Sequence, residues 1–211
     1  AMGNDPGARL YYEQALAIRR KVLGEEHPDT ANSLNNLGVV LQDIGDHLGA
    51  RSCCEQALAI CWKVLGEEHP DTAHCFNNLG ALMQAMGDYA GARSYYEQAF
   101  AIRRKLLGEE HPETAISLNN LGSLLQAMGD FSSAQMFYEQ GLAINRKVLG
   151  EKHPHTANSL NNLGNLMQGM GDYPGSRLYY NQALAIYERI LSVDHPAIRL
   201  IQKNLESLDK L

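Results

Sequence analysis

Asparagine and glutamine side chains recur at one fixed spacing along the chain. The leading residue of each Asn-Asn pair is followed seven positions later by a glutamine, as in Asn35 and Gln42, and the whole set repeats every 42 residues. A carboxamide offers a hydrogen-bond donor and an acceptor together, which matches the backbone of an extended polypeptide. These residues therefore predict neutral hydrogen bonding to a peptide rather than catalysis.

Histidine and glutamate recur with the same period, but in settings that argue against metal binding and acid–base catalysis. Neighbouring histidines lie one repeat apart and each precedes a proline, so they are expected to be turn and cap residues that cannot share one metal ion. The Glu-Glu pairs lie in turns without a buried setting to separate their acidities. Because no nucleophile set, phosphate loop or H-E-x-x-H motif occurs either, we expect no enzyme activity, catalytic residue, metal or cofactor. The histidines are His27, His69, His111, His153 and His195, and the glutamate pairs begin at Glu25, Glu67 and Glu109.

Four cysteines fall in or near one repeat, at Cys53, Cys54, Cys61 and Cys75. Other repeats carry tyrosine, arginine or serine at the equivalent positions, and the spacing does not resemble a zinc motif. We interpret them as reduced thiols with a structural or incidental role, the alternative being an adventitious metal or oxidation site. A reducing cytoplasm is the expected compartment.

Composition excludes two classes of partner. The net charge is −6 with both signs interspersed, which argues against nucleic acid and against a polybasic membrane contact. No apolar run approaches the length of a membrane span, and no signal peptide opens the chain. The start reads as a cloning scar.

Each 42-residue unit holds two helical patterns, and no segment has the period of a strand. The first helix is expected to open at Pro28, where a missing N–H costs nothing, and Leu34, Leu37 and Leu41 form its apolar face. A Gly-Asp pair ends it, with the glycine in a left-handed conformation and the aspartate capping the next helix. The second helix covers about Tyr89 to Leu107 in the clearest copy, and its last turn is basic.

The repeat predicts the division of the chain. Residues 1–4 are expected to be a cloning scar with a disordered start, and residues 5–23 an orphan second helix, because the array was cut from a longer one. Four complete units follow at 24–65, 66–107, 108–149 and 150–191. Residues 192–211 form a more polar C-terminal capping helix, as terminal repeats require.

The period alone would also suit HEAT or armadillo repeats, so the internal signature decides. Leu79-Gly80, Met83, Ala92, Tyr96 and Ala99 keep the spacing of the tetratricopeptide repeat (TPR). The 42-residue form, with His-Pro-x-Thr-Ala, Leu-Asn-Asn-Leu and Ala-Leu-Ala-Ile, resembles the repeats of kinesin light chains and is similar to arrays in bacterial multidomain signalling proteins. This resemblance covers Gly7 to Asn204. It implies an all-α, right-handed superhelical solenoid of antiparallel helix pairs.

The candidate site follows from a helical wheel. The amides lie roughly 150° from the leucine face, and stacking of repeats would place them side by side on a concave surface. The candidate peptide-binding residues are Asn35, Gln42, Asn77, Gln84, Asn119, Ser123, Gln126, Asn161, Asn165 and Gln168. By resemblance, the leading asparagine matches one that TPR grooves use to hold a peptide backbone. The alternative is that these asparagines satisfy neighbouring helix ends or keep an exposed face soluble.

Two functions remain open at this point. The first is a non-enzymatic protein–protein interaction scaffold that holds an extended peptide or protein segment in the Asn/Gln-lined groove. The second is a structural spacer, or an array that self-associates weakly end to end. The lysine and arginine clamps with which chaperone-binding and kinesin-light-chain members hold acidic ligands are absent from the amide stripe, so neither ligand class is carried over.

Overall fold

A computed structural model describes residues 6–210, and this part of the chain consists of ten consecutive α-helices without a strand. The helices are α1 (Pro6–Leu23), α2 (Pro28–Asp43), α3 (His47–Leu65), α4 (Pro70–Ala85), α5 (Tyr89–Leu107), α6 (Pro112–Ala127), α7 (Phe131–Leu149), α8 (Pro154–Gly169), α9 (Tyr173–Ile190) and α10 (Pro196–Leu208). The all-α fold class is confirmed. The predicted scar and disordered start at residues 1–4 lie outside the described residues, and the unit boundaries stay a prediction.

Every even-numbered helix begins at a proline and is a first helix in the sense used above. The histidine before each proline is the N-cap residue. Its Nδ1 accepts a hydrogen bond from the backbone N–H two residues later, as from Asp29 to His27 at 3.1 Å. In α2, α4, α6 and α8 a buried threonine then donates to the preceding glycine carbonyl, as from Thr30 to Gly24 at 2.8 Å. The periodic histidines therefore start helices, as predicted.

The Gly-Asp pairs make the turn between the two helices of each unit. Gly45 has a φ of 85°, in the left-handed region that favours glycine. Asp46 caps α3 by accepting from the Gly49 backbone N–H at 2.9 Å. Both predictions for this turn are confirmed.

The first compact unit is Ala1–Leu106. In it α1 packs on α2, α2 on α3, and α3 on α4. The expected leucine face of α2 is buried, with Leu34 2% exposed. Arg103, in the last turn of α5 that the sequence predicts to be basic, is 4% exposed.

The second compact unit is Leu107–Leu211, in which each helix from α6 to α10 packs on the next. Its core contains Tyr180, Leu163 and Ile198, all 0% exposed. Among residues 6–210 no helix is long and apolar enough to cross a membrane.

Candidate functional site

Within each compact unit, a leading asparagine links the first helices of two neighbouring repeats. Asn35 on α2 is 6% exposed, and its Nδ2 donates to Cys75 Sγ on α4 at 3.1 Å. Asn119 on α6 is half-buried, and its Nδ2 donates to Ser159 Oγ on α8 at 3.0 Å. The Oδ1 atoms of both are buried without a partner. These two amides therefore join one repeat to the next and offer little to a ligand.

Asn161 on α8 holds the same position but has no such acceptor. Ile201 lies 40 residues after Asn161, at the position equivalent to that of Ser159 relative to Asn119. The Oδ1 of Asn161 is buried without a partner, and the Nδ2 of Asn161 makes no hydrogen bond within residues 6–210. Because the carbonyl end is buried, Asn161 presents an amide donor.

The glutamines at the second-to-last positions of α4, α6 and α8 are oriented by tyrosines of the following second helix. The hydroxyl of Tyr96 donates to Gln84 Oε1 at 3.1 Å, that of Tyr138 to Gln126 Oε1 at 3.1 Å, and that of Tyr180 lies 2.9 Å from Gln168 Oε1. This contact holds the carbonyl oxygen toward the second helix. Sequence reasoning missed the pairing, although the constant spacing of twelve residues between glutamine and tyrosine was available as a signal.

The amide nitrogens of these glutamines differ in their surroundings. Gln168 Nε2 donates to Ser207 Oγ at 3.3 Å, whereas Gln126 Nε2 has no partner in the described part of the chain. The side chain of Gln42 makes no hydrogen bond there either, and Cys54 stands at the position of the tyrosine. Gln126 and Gln42 are both half-buried and retain donors for a ligand.

The remaining predicted site residues are half-buried on the same face. Asn165 Oδ1 lies 2.6 Å from the Tyr180 hydroxyl and accepts from Asn204 Nδ2 at 3.4 Å. Asn77 on α4 and Ser123 on α6 both have polar partners of their own.

In each compact unit, we call the surface that carries these amides the first-helix face. It bears no lysine, arginine, aspartate or glutamate, and its chemistry is neutral. Its positions are Asn32, Asn35, Val39 and Gln42 on α2, His74, Asn77, Ala81 and Gln84 on α4, Ile116, Asn119, Ser123 and Gln126 on α6, and Asn158, Asn161, Asn165 and Gln168 on α8.

The cysteines do not form a metal-binding cluster among the described residues. They are free thiols, and Cys75 Sγ lies 3.6 Å from Cys61 Sγ. Burial raises the pKa of Cys54 to about 12 and raises that of Cys53, which disfavours the reactive thiolate. Within the described residues no group of three or more His, Cys, Asp or Glu could hold a metal ion.

The glutamate pairs are engaged in ion pairs at the ends of the second helices. One lysine in each of α3, α5 and α7 pairs with the glutamate 37 residues before it: Lys63 with Glu26, Lys105 with Glu68 and Lys147 with Glu110. An arginine pairs with the first glutamate of the next turn, as Arg20 with Glu25 at 2.8 Å. These exposed pairs are structural contacts of modest strength.

Similar structures share the helical arrangement. The crystal structure of BtubC (BKLC) from P. vanneervenii matches 96% of this chain and 82% of its own length, with a TM-score of 0.78 and 23% identity; at this identity the likeness shows the fold alone. Two crystal structures of a Podosopora anserina kinesin-light-chain-type protein with nearly identical TPR-like repeats match more closely in sequence. One is 30% identical over 86% of this chain and 85% of its own (TM-score 0.67), and the other, 32% identical over 87% and 88% (TM-score 0.64). No curated protein matches the chain.

The sequence model of the tetratricopeptide repeat matches residues 1–50, 30–105, 76–147 and 138–189, which together span most of the chain. Arrays of this family act as protein–protein interaction scaffolds whose surface is built from stacked repeats. The Gly, Ala and Tyr positions of the signature are those at which α4 meets α5 and α8 meets α9. The chain therefore belongs to the tetratricopeptide-repeat family, with repeats of the kinesin-light-chain-like type.

Proposed function

We propose that the chain is a non-enzymatic scaffold that binds an extended peptide or protein segment on the first-helix face. One observation carries the proposal. In the second unit, Gln126 on α6 and Asn161 on α8 present amide N–H groups that have no partner in the described residues, on a face without formal charge. Two neighbouring first helices thus supply donors of the same kind.

The chemistry of these donors selects the ligand atoms. Tyr138 holds the carbonyl oxygen of Gln126, and the carbonyl oxygen of Asn161 is buried. Each side chain therefore offers N–H rather than C=O outward. The complementary group is an acceptor, and the acceptor common to every extended segment is the backbone carbonyl. On the first-helix face of the first unit, Gln42 offers a side-chain amide of the same kind.

The other predicted residues support this surface. Asn35 and Asn119 fix the spacing of neighbouring first helices through Cys75 and Ser159. Other predicted residues line the face and would contact the peptide through van der Waals packing. They are Asn77, Gln84, Ser123, Asn165 and Gln168.

The neutral face also limits the partners. Binding through uncharged amides depends little on salt, unlike a lysine or arginine clamp on an acidic motif. The net charge of −6 disfavours nucleic acid and anionic membrane. Free thiols in the described residues fit a reducing, cytoplasmic compartment.

The test selects a peptide from a displayed random library on the full chain and titrates it by calorimetry. Gln126→Glu keeps an oxygen for the Tyr138 hydroxyl and replaces the amide donor with a negatively charged acceptor, so the loss of the hydrogen bond sets the smallest effect expected. One neutral hydrogen bond contributes about 0.5–1.5 kcal/mol, so affinity should fall by about 2- to 13-fold. With Asn161→Ala added, the combined loss should be about 5- to 150-fold.

The matched control is Gln140→Glu, which adds the same charge on the exposed surface of α7 in the same unit. It should leave affinity unchanged. If Gln126→Glu binds as tightly as the control, or if moderate salt abolishes binding, the site is not on the first-helix face.

An assembly role is the second candidate, and one observation favours it. The apolar side chains Leu10, Ile18 and Val22 of α1 are 52%, 63% and 71% exposed, which is typical of a contact surface. We propose that copies of the chain associate weakly through these side chains of α1, independently of peptide binding on the first-helix face.

A further inference from the structure

Two arginines of second helices are each held by two acceptors, one in the following turn and one on the next second helix. In the first compact unit, Arg20 pairs with Glu25 at 2.8 Å and donates to Gln56 Oε1 on α3 at 3.2 Å. The second compact unit has the same arrangement three repeats later, with distances of 3.0 and 3.3 Å, formed by Arg146, Glu151 and Gln182. A guanidinium is therefore the group that this pair of acceptors binds.

The glutamine acceptor is oriented by a serine of its own helix. Gln56 Nε2 donates to Ser52 Oγ at 3.1 Å, which leaves Oε1 for Arg20. Gln98 on α5 stands 42 residues later and is held in the same way. Its Nε2 donates to the backbone carbonyl of Ser94 at 3.2 Å and to the hydroxyl of Ser94 at 3.4 Å. The Oε1 of Gln98 is thus oriented as an acceptor, yet it has no partner among residues 6–210.

The repeat that contains this second glutamine lacks the arginine. Trp62 on α3 stands at the position of Arg20 and Arg146. Glu67 stands at the position of Glu25 and is exposed, and its carboxylate makes no ion pair or hydrogen bond in the part of the chain that the structure describes. Both acceptors are present here without a guanidinium.

A cavity of about 170 Å³ opens between the two acceptors. Its walls include Glu67 and Gln98 together with Phe76 of α4. All three residues belong to the first compact unit. Because Glu67 and Gln98 are the equivalents of the residues that hold Arg20, the cavity lies where the guanidinium is bound in the other repeats.

The lining of this cavity carries one uncompensated negative charge. Glu68 is paired with Lys105, and both line the cavity, so the carboxylate of Glu67 is left over. The equivalent lysine pair of the preceding repeat, Lys63 with Glu26, lies in the same turn as the arginine pair described above. The lysine therefore does not exclude a guanidinium from this place.

Aromatic side chains border the cavity on its apolar side. The ring of Phe76 meets Trp62 edge to face, with the centroids 5.8 Å apart, and stacks on Tyr95 at 6.1 Å. Trp62 is 43% exposed. Aromatic rings attract a guanidinium through cation–π contact and planar stacking. The substitution of tryptophan for arginine thus removes the cation of this repeat and adds a surface that favours one.

We propose that this cavity, which we call the Trp62 site, binds the arginine side chain of a partner protein segment. The guanidinium donates to the Glu67 carboxylate and to Gln98 Oε1, as the arginines of the chain do in the equivalent repeats, and it packs against the aromatic side. Arginine fits because its planar fork reaches two acceptors at once, whereas a lysine ammonium acts as a point charge. The Trp62 site is built on second helices and is independent of the first-helix face.

The chain contains a single tryptophan, so its indole N–H resonance reports on the Trp62 site alone. The probe is the peptide acetyl-Gly-Gly-Arg-Gly-Gly-amide, titrated into the full ¹⁵N-labelled chain. The indole resonance should shift saturably at millimolar peptide. Citrulline in place of arginine keeps the shape but removes the charge, and should weaken binding by about 3- to 30-fold because the ion pair and the cation–π contact are both lost. A lysine peptide should also bind more weakly than the arginine peptide.

Two variants locate the peptide in the cavity. Glu67→Gln should weaken binding by about 2- to 5-fold, whereas the matched control Glu25→Gln, whose carboxylate is already paired with Arg20, should leave it unchanged. Trp62→Arg supplies a guanidinium from the chain itself. Peptide binding, followed through the backbone amide of Glu67 and the side-chain amide of Gln98, should then be lost.

Several outcomes would overturn the proposal. They are an indole resonance that does not shift saturably, equal affinity for the arginine peptide and for the citrulline or lysine peptide, the same loss in Glu25→Gln as in Glu67→Gln, and undiminished binding to Trp62→Arg. A dimer in sedimentation that Glu67→Gln dissociates would also overturn it, because a second copy of the chain would then supply the cation.

Discussion

The packing of each second helix on its first helix depends on a glycine, and Gly164→Ala tests this dependence. A Cβ at Gly164 would lie 2.6 Å from Tyr180 Cδ1 and 2.7 Å from Cε1. The Tyr180 ring is 0% exposed, and its hydroxyl lies 2.6 Å from Asn165 Oδ1 and 2.9 Å from Gln168 Oε1. The ring is therefore held at both ends and cannot move aside freely.

The expected magnitude follows from three terms. Moving the contact from 2.6 Å to an ordinary distance of at least 3.4 Å is overpacking of a kind that costs about 1–3 kcal/mol. A displaced hydroxyl of Tyr180 loses a hydrogen bond worth about 0.5–1.5 kcal/mol. Alanine regains about 1 kcal/mol of helix propensity over glycine. The free energy of unfolding should fall by about 0.5–3.5 kcal/mol.

Urea unfolding followed by circular dichroism measures the effect, and Gly169→Ala is the control in the same helix. A Cβ at Gly169 would meet Phe131 Cε1 at 3.6 Å, an ordinary contact, so stability should stay unchanged or rise by up to about 1 kcal/mol. If Gly164→Ala is as stable as Gly169→Ala, the close approach of helix to ring does not constrain the fold as described.

Two further predictions concern buried hydroxyls. Burial raises the pKa of Tyr138 to about 12, above the value of about 10 for an exposed tyrosine; the raised pKa makes the stability contribution of this group complete below pH 10 and lost as pH rises toward 12. At pH 8, Tyr138→Phe should therefore be less stable than the parent by about 1 kcal/mol, because the hydrogen bond to Gln126 is lost. Above about pH 11 it should be more stable, because the buried hydroxyl of the parent lowers the free energy of unfolding by about 1.4 kcal/mol for each pH unit above 10. The same difference in urea midpoint between variant and parent at both pH values would contradict this. Ser159 Oγ accepts from Asn119 Nδ2 at 3.0 Å and from Asn145 Nδ2 at 3.1 Å. Ser159→Ala removes both hydrogen bonds and leaves Asn119 Nδ2 without an acceptor, whereas Asn145 Nδ2 keeps the His155 carbonyl at 3.3 Å, so the free energy of unfolding should fall by about 1–3 kcal/mol. An unchanged urea midpoint would show that the link between repeats carries no stability.

The features that the sequence predicts correctly are those with local causes. Proline at the first helical position starts α2 at Pro28, and the glycine after each second helix ends it, so α5 covers Tyr89–Leu107 as predicted. The left-handed Gly45 follows from the same local chemistry. Such signals act within a few residues and are repeated in every unit, which makes them readable without tertiary information.

The features that the sequence does not predict depend on neighbouring helices. A helical wheel places Asn35 on an open face because it considers one helix, whereas the next first helix covers it and supplies Cys75 as an acceptor. The burial of Arg103 in the basic last turn of α5 is likewise not predicted from one helix considered alone. A comparison of residues 40 positions apart would have distinguished the two asparagines. Asn119 has Ser159, a hydrogen-bond acceptor, at that distance, whereas Asn161 has Ile201. Wheel geometry alone cannot make that distinction.

The central claim is that the first-helix face recognises peptide backbone through amide donors. The most direct measurement is a double-mutant cycle between the protein and a selected peptide in which each peptide bond is replaced in turn by an ester, a weaker carbonyl acceptor. If Gln126 binds a backbone carbonyl, one ester position should lower the affinity of the parent chain and lose most of its effect in Gln126→Glu, giving a coupling energy of about 0.5–1.5 kcal/mol. Additive effects of Gln126→Glu and of every ester would contradict the claim.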